Sequence, residues 1–310
     1  MVTNAAVVEN LQESKHSLKK QSAQHQLALG VGCDAAGKTI LSHRYMAYPL
    51  SVSPIFRSEE NGTAASLERA YLYRMNTSPG LLAGDRISTS LQLAEGAQLY
   101  LADQAATKVH TMPEVTTQAT VTYDITVGDR ATLEFLPEPL ILFAESALSQ
   151  TTDIVISPAG GLSWGEIILP GRLARGEVYA FRECWSRLRV KSPEGKLWFS
   201  ETMKLTGQAN AQENTFVQSP LFASGPVLGT LILILPEAIA TSENLKTLSA
   251  GIDALADKEL ADKELAEGGG LNLASSVLPG GRGLFVRAMA ETTRDMQAGF
   301  KAAANCVRSL

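Results

Sequence analysis

Between Leu27 and Pro236 apolar and polar residues alternate with a period of two, the pattern of strands that bury one face of a sheet. Ile87, Thr89, Leu91 and Leu93 alternate with Ser88, Ser90 and Gln92, and Val121, Tyr123, Ile125 and Val127 alternate with Thr122, Asp124 and Thr126. A mainly β chain is therefore predicted. A strand, glycine turn, strand unit recurs about every thirty residues. Its copies run from Ser90 to Leu101, turning at Glu95-Gly96-Ala97, from Thr122 to Leu136, turning at Gly128-Asp129-Arg130, and from Asp153 to Ile167, turning at Ala159-Gly160-Gly161. Such spacing suits the coils or layered hairpins of a solenoid-like stack, in which each unit buries its face on its neighbours. The two stacked sheets of a β-sandwich satisfy the same pattern.

After Pro236 the composition turns towards helix. Ala256-Asp257-Lys258-Glu259-Leu260 is repeated at once as Ala261-Asp262-Lys263-Glu264-Leu265 and closed by Gly268-Gly269-Gly270, which reads as a solvated, variable insertion over about 256–270. From Gly283 to Leu310, the residues Phe285, Met289, Met296, Phe300, Val307 and Leu310 fall on one stripe, predicting a C-terminal amphipathic helix over about 283–310. Residues 1–26 are polar, without the apolar core of a signal peptide, and read as a disordered tail. The apolar run Val227 to Leu235 stops at Pro236, far short of the roughly 20 residues of a membrane span. One β-rich domain over 27–310 is expected, with no membrane segment.

Charge and cysteine usage narrow the partners and the compartment. The net charge of -5, without a dense Lys/Arg cluster, argues against nucleic acid, whose phosphates need a basic stripe. The three cysteines, Cys33, Cys184 and Cys306, are few, scattered and odd in number, which suits a reducing compartment and a cytoplasmic protein.

Two short motifs suggest enzymes. Gly32-Cys33-Asp34-Ala35-Ala36-Gly37-Lys38-Thr39 matches the phosphate-binding pattern GxxxxGK(S/T) and would make the chain a nucleotide-binding enzyme. That mechanism needs a helix straight after Thr39, whereas Ile40 to Tyr48 is β-branched and aromatic and ends at Pro49, so a hairpin turn with positive φ at Gly37 is the better fit. Gly161-Leu162-Ser163-Trp164-Gly165 matches the GxSxG nucleophile elbow. Its triad requires a later histidine, and the histidines stand at 16, 25, 43 and 110 only. No CxxC, HxH or HExxH occurs, so no permanent metal site is expected.

The stretch Asn76-Thr77-Ser78-Pro79-Gly80-Leu81-Leu82-Ala83-Gly84-Asp85-Arg86, followed by Asp103-Gln104-Ala105-Ala106-Thr107-Lys108-Val109-His110, resembles the paired signatures of the UreD (UreH) family of urease accessory proteins. In that family they read approximately NTSGGLxGGD and TQAATKVY. Leu136 to Phe143, Trp164 with Glu166, and Gly171-Arg172-Leu173-Ala174-Arg175-Gly176-Glu177 resemble later family segments in the same order. Pro79 and Ala83 stand where the family has glycine, and Asp103 and His110 where it has Thr and Tyr.

The resemblance implies a β-helical scaffold with no catalytic residues and no tightly bound cofactor. It would assemble with UreF and UreG, two copies of each, and pass Ni2+ in transit to apo-urease through an internal passage. An ion moves through protein only where charge and dipole partly replace its hydration. Asp85 and Glu166 are the first candidates to line such a passage, with Glu177 and His110 behind them. Asp85 serves equally well as a turn cap, and His110 as a hydrogen-bonded structural residue. The matching positions Asn76, Thr77, Ser78, Gly80, Gly84, Gln104, Thr107, Lys108, Arg172 and Gly176 would hold the fold or meet a partner.

Overall fold

The computed structural model describes residues 25–57, 69–207, 218–263 and 270–310, and these residues form two mixed β-sheets and three α-helices. The first sheet has seven strands in the order β14 (Leu197–Thr206), β13 (Glu183–Lys191), β11 (Ala147–Ile156), β8 (Ala119–Val127), β5 (Arg86–Leu93), β1 (Leu27–Cys33) and β2 (Thr39–Met46). The second runs β16 (Leu271–Val277), β17 (Gly283–Ala290), β15 (Val227–Ile234), β12 (Gly161–Leu169), β9 (Thr132–Phe135), β6 (Gln98–Gln104), β4 (Ala70–Asn76) and β3 (Leu50–Val52). Two short strands extend it, β10 (Leu140–Leu142) beside β12 and β7 (Thr107–Val109) beside β10. The helices are α1 (Pro220–Ser224), α2 (Ser242–Lys263) and α3 (Thr293–Arg308).

The three glycine turns of the sequence repeat join strands of different sheets. β5, β8 and β11 are parallel neighbours in the first sheet, while the strands that follow their turns, β6, β9 and β12, are parallel neighbours in the second. A parallel pair needs a long crossover connection, and here the crossover is a visit to the other sheet. Each turn rests on the one before: Gly128 N donates to Leu93 O and Ser157 N to Val127 O, both at 2.9 Å. The outer pairings, such as β1 with β2 and β13 with β14, are antiparallel, which makes the sheets mixed.

Between the sheets lies the larger core. Inward positions of β8 (Val121, Tyr123, Ile125) meet those of β9 and β12, with the Tyr123 and Trp164 ring centroids 5.2 Å apart and those of Phe135 and Trp164 4.5 Å apart. A second core fills the space between the outer face of β15 and β17 and the helices, where Leu231, Leu233 and Val286 pack with Leu245, Met296 and Phe300. β15 is covered on both faces, and its sequence, Val-Leu-Gly-Thr-Leu-Ile-Leu-Ile, is accordingly apolar almost throughout.

That double burial overturns one expectation. The helix predicted over 283–310 is a strand, β17, followed by the shorter α3. Phe285 points into the inter-sheet core while Leu284, Val286, Ala288 and Ala290 point to the helices, so the apolar run Leu284 to Val286 carried no period to distinguish strand from helix. Thr292 starts α3 by accepting from Asp295 N at 3.2 Å, and the buried stripe of that helix is Met296, Gly299, Phe300, Ala303 and Ala304. The first copy of the charged duplication lies within α2, and 264–269 lie outside the described residues. So do residues 1–24, whereas Gln26, placed in the tail, is bonded to the first sheet through Ser88.

Both enzyme motifs are strand and turn. Thr39 opens β2, antiparallel to β1, and Asp34 Oδ1 accepts from Ala36 N and Lys38 N at 2.9 Å, closing the turn with Gly37 at φ 81°. With no helix after Thr39, the phosphate-loop reading of Gly32–Thr39 is excluded. Ser163 is buried inside β12, paired on both sides, so no elbow exists there.

Candidate functional site

Glu166 is a carboxyl group in the space between the sheets. β12 is a central strand, and its other side-chain positions are mostly apolar, yet Glu166 faces β11 and β13 of the opposite sheet. The Gln150 amide and the Ser186 hydroxyl, the latter at 2.9 Å, both donate to Glu166 Oε2. Neither donor carries charge. Burial therefore pushes the Glu166 carboxyl up to about 7, with the Ser186 hydrogen bond opposing the shift.

Small cavities flank Glu166. A middle cavity of about 20 Å³ is bordered by Arg74, Asp103, Glu138, Gln150, Trp164 and Glu166. A far cavity, also about 20 Å³, begins on the other side of Trp164 and Glu166 and is lined by Thr152, Ser186, Glu201 and Thr230. A near cavity of about 30 Å³ shares Arg74, Asp103, Thr107 and Gln150 with the middle one and continues to Asn76 and Ala105. Outside, an open groove of about 700 Å³ lies between α3 and the outer residues Tyr71, Tyr73 and Tyr100, and it reaches Asp103 and Glu138 at its floor. Each cavity has room for roughly one water molecule.

Arg74 and Asp103 form a buried charge pair in the interior. Arg74 Nε donates to Asp103 Oδ1 and Nη1 to Tyr123 Oη, both at 2.7 Å, and the guanidinium lies 5.1 Å from the Tyr123 ring centroid. Burial works against the Arg74 charge, but Asp103 and Tyr123 outweigh it and hold the guanidinium above its ordinary value. Sequence reading missed Arg74, Asp103, Gln150 and Ser186 as a group. The signal was present in Arg74, a charged residue at an inward position of an alternating strand.

The family-like motif builds one end of the molecule. Asn76 Oδ1 accepts from Ser78 N at 2.9 Å and Ser78 Oγ at 2.7 Å, and Thr77 N and Oγ1 both donate to Pro49 O. Gly80 has φ 144°, and a Cβ there would stand 2.5 Å from Lys108 O and 2.9 Å from His110 Nε2, so only glycine fits. Asp85 Oδ2 accepts from Leu82 N at 2.7 Å and caps its own turn, in which Gly84 has φ 84°. Thr107 N donates to Pro139 O at 3.0 Å, Lys108 is exposed, and Gln104 is exposed at the end of β6.

His110, Arg172 and Glu177 gather around Phe143. The His110 ring stands edge-on to Phe143 at 5.1 Å and its Nε2–H donates to Pro79 O at 3.1 Å, while the Arg172 guanidinium lies 4.3 Å from the Phe143 centroid. Arg172 holds Glu177 with two hydrogen bonds, one of 2.8 Å from Nε, and this keeps the Glu177 carboxyl below its ordinary value. Gly176, at φ 76°, closes the short turn between them. The structure thus sets His110 and Arg172, the partner of Glu177, against one aromatic ring, joins Asp85 to the same loops through Leu81 and Leu82, and leaves Glu166 apart in the interior. Among the described residues, no three His, Cys, Asp or Glu side chains converge as a metal site. No helix among them is long and apolar enough to cross a membrane.

A family model described as UreD urease accessory protein matches residues 23–310. The chain is 43% identical to the urease accessory protein UreD of Trichodesmium erythraeum over 92% of its own length and 95% of that protein. It is 33% identical to the UreD of Actinobacillus pleuropneumoniae serotype 5b over 61% of this chain and 71% of the relative. The similarity to the UreD 2 of Streptomyces griseus is 28% over 88% and 86% of the two chains.

Proposed function

The chain belongs to the UreD family of urease accessory proteins, non-catalytic factors of urease maturation, and from that premise we propose that it is a scaffold that carries Ni2+ to apo-urease through its interior. In this reading it joins UreF and UreG, two copies of each in the assembly, and leaves nucleotide hydrolysis to UreG. The observation that carries it is Glu166: a carboxyl group without a cationic partner among the described residues, placed where two internal cavities meet. Structural carboxylates in a core are paired with cations, as Asp103 is with Arg74. A buried carboxyl left with neutral donors suits an ion that binds and departs.

In the same reading Asp85, His110 and Glu177 keep the loop end in shape, since each already makes a local hydrogen bond. Asn76, Thr77, Ser78, Gly80, Gly84, Arg172 and Gly176 share that task, while exposed Gln104 and Lys108 are available to a partner. Thr107, beside the near and middle cavities, helps shape the interior. Co-purification with folded UreF is the first test. Stoichiometric capture supports the scaffold, and failure to associate argues against it.

A further inference from the structure

α2 and α3 pack against the second sheet, whereas the outer face of the first carries side chains that stay half-buried along β13. On that strand Cys184, Ser186, Leu188 and Val190 face the interior, so Trp185, Arg187, Arg189 and Lys191 stand outside at every second position, roughly 7 Å apart. Asp153, opposite Arg189 on β11, is the carboxylate among these cations. Arg189 Nε and Nη2 hold it at 2.6 and 2.8 Å, and together with Arg187 and Lys191 they keep its carboxyl below the ordinary value. Three cations thus share one carboxylate. The neighbouring acids are engaged elsewhere: Asp124 on β8 lies 3.9 Å from His25 Nε2, and Glu183 holds Lys204 at 3.0 Å.

Arg187 has a further distinction. Its Nε is withdrawn from solvent yet has no hydrogen-bond partner among the described residues, and its guanidinium lies 5.5 Å from the Trp185 ring centroid, between Thr151 on β11 and Thr202 on β14. A donor that has already lost its water favours the arrival of an acceptor.

We infer that this ladder is the docking surface for an acidic segment of a partner protein, which lies along β13 with carboxylates at alternate positions against Arg187 and Lys191 and its apolar atoms against Trp185. An extended segment repeats its side chains at the same spacing of roughly 7 Å, so two carboxylates two or four residues apart meet the ladder in register. Trp and Arg are also the residues that contribute most at protein interfaces. A nucleic acid suits the face less well, because the net charge of -5 repels a polyanion and Asp124 and Asp153 stand on the same face. The N-terminal stretch 1–24 has the wrong sign, with Lys15, Lys19 and Lys20 against Glu9 and Glu13. The site is independent of any passage through the interior, since its side chains point away from Glu166.

The probe is a blocked peptide of four Glu-Thr repeats, titrated into the full chain at low and at physiological salt with calorimetry and tryptophan fluorescence as readouts. Saturable binding is expected, weaker at the higher salt, and Arg187→Gln/Lys191→Gln lowers the affinity by about tenfold or more. Trp185→Phe removes the fluorescence response. Should the double variant melt below wild type, Lys191→Gln alone is read instead, with a loss of about threefold expected. Absence of saturable binding, equal affinity in the variants, or equal binding of a Lys-Thr repeat overturns the inference. Tighter binding of an eight-nucleotide oligothymidylate that the same variants abolish overturns it in favour of nucleic acid, and a dimer in gel filtration that they dissolve overturns it in favour of a second copy of the chain.

Discussion

Ser186 on β13 and Glu166 on β12 meet across the interior, the hydroxyl donating to Glu166 Oε2 at 2.9 Å, so that one carboxyl group links the two sheets. Gln150 donates to the same oxygen. The pairing is polar and uncharged, and its consequences are measurable.

The first is a stability that falls with rising pH. The Glu166 carboxyl is raised by burial to about 7, from an ordinary 4.5, so the folded state holds a proton that the unfolded chain has already lost. The contribution is present below the unfolded value and is lost as pH rises through the folded one, and at its largest it is on the order of 3 kcal/mol. Thermal unfolding of Glu166→Gln should lose this component of the pH dependence and melt above wild type at about pH 8. Identical slopes for the two proteins would place the carboxyl in contact with water or an unseen counter-charge.

Arg74 and Asp103 should behave as a unit. Asp103→Asn leaves a guanidinium unpaired in the core and is expected to cost roughly 3–5 kcal/mol, whereas the double variant Arg74→Met/Asp103→Leu recovers most of that loss. Denaturant unfolding of both single variants and the double variant measures the coupling directly.

Glu177 should prove structural. Its Arg172 hydrogen bonds keep the carboxyl low, so their stabilisation is present above the ordinary carboxylate range and is lost as pH falls. Glu177→Gln should cost about 1 kcal/mol at neutral pH, as a mostly surface ion pair does, and leave nickel transfer unchanged. A variant of normal stability with impaired transfer would move Glu177 into the passage.

Lys38 lies in a hairpin turn and should be dispensable for nucleotide chemistry. Lys38→Ala is expected to leave urease activation at the wild-type level, and equilibrium dialysis with GTP or ATP should show no binding by the isolated chain.

Much of the fold was legible because β8 buries one face and so alternates cleanly, and because the glycine turns recur along the chain. β17 was not legible, since its first half is covered on both faces and shows no alternation, so it joined the stripe of the helix that follows. Glu166 stood out through the resemblance to family segments, but its partners did not. Gln150 and Ser186 are distant in sequence, and only the parallel register of β8, β11 and β13 against the second sheet puts them beside it. Asp85 and Glu177 looked alike as acids near glycines, and the difference between a turn cap and an arginine partner lies in local geometry that spacing does not reveal.

The passage itself is tested most directly by Glu166→Gln in the assembled accessory complex, with nickel per urease active site determined after a fixed time. The variant keeps the volume and can still accept from Ser186, so the complex should form with unchanged stoichiometry while nickel delivery drops well below wild type. Wild-type nickel content from a complex carrying Glu166→Gln would contradict an internal route past this residue.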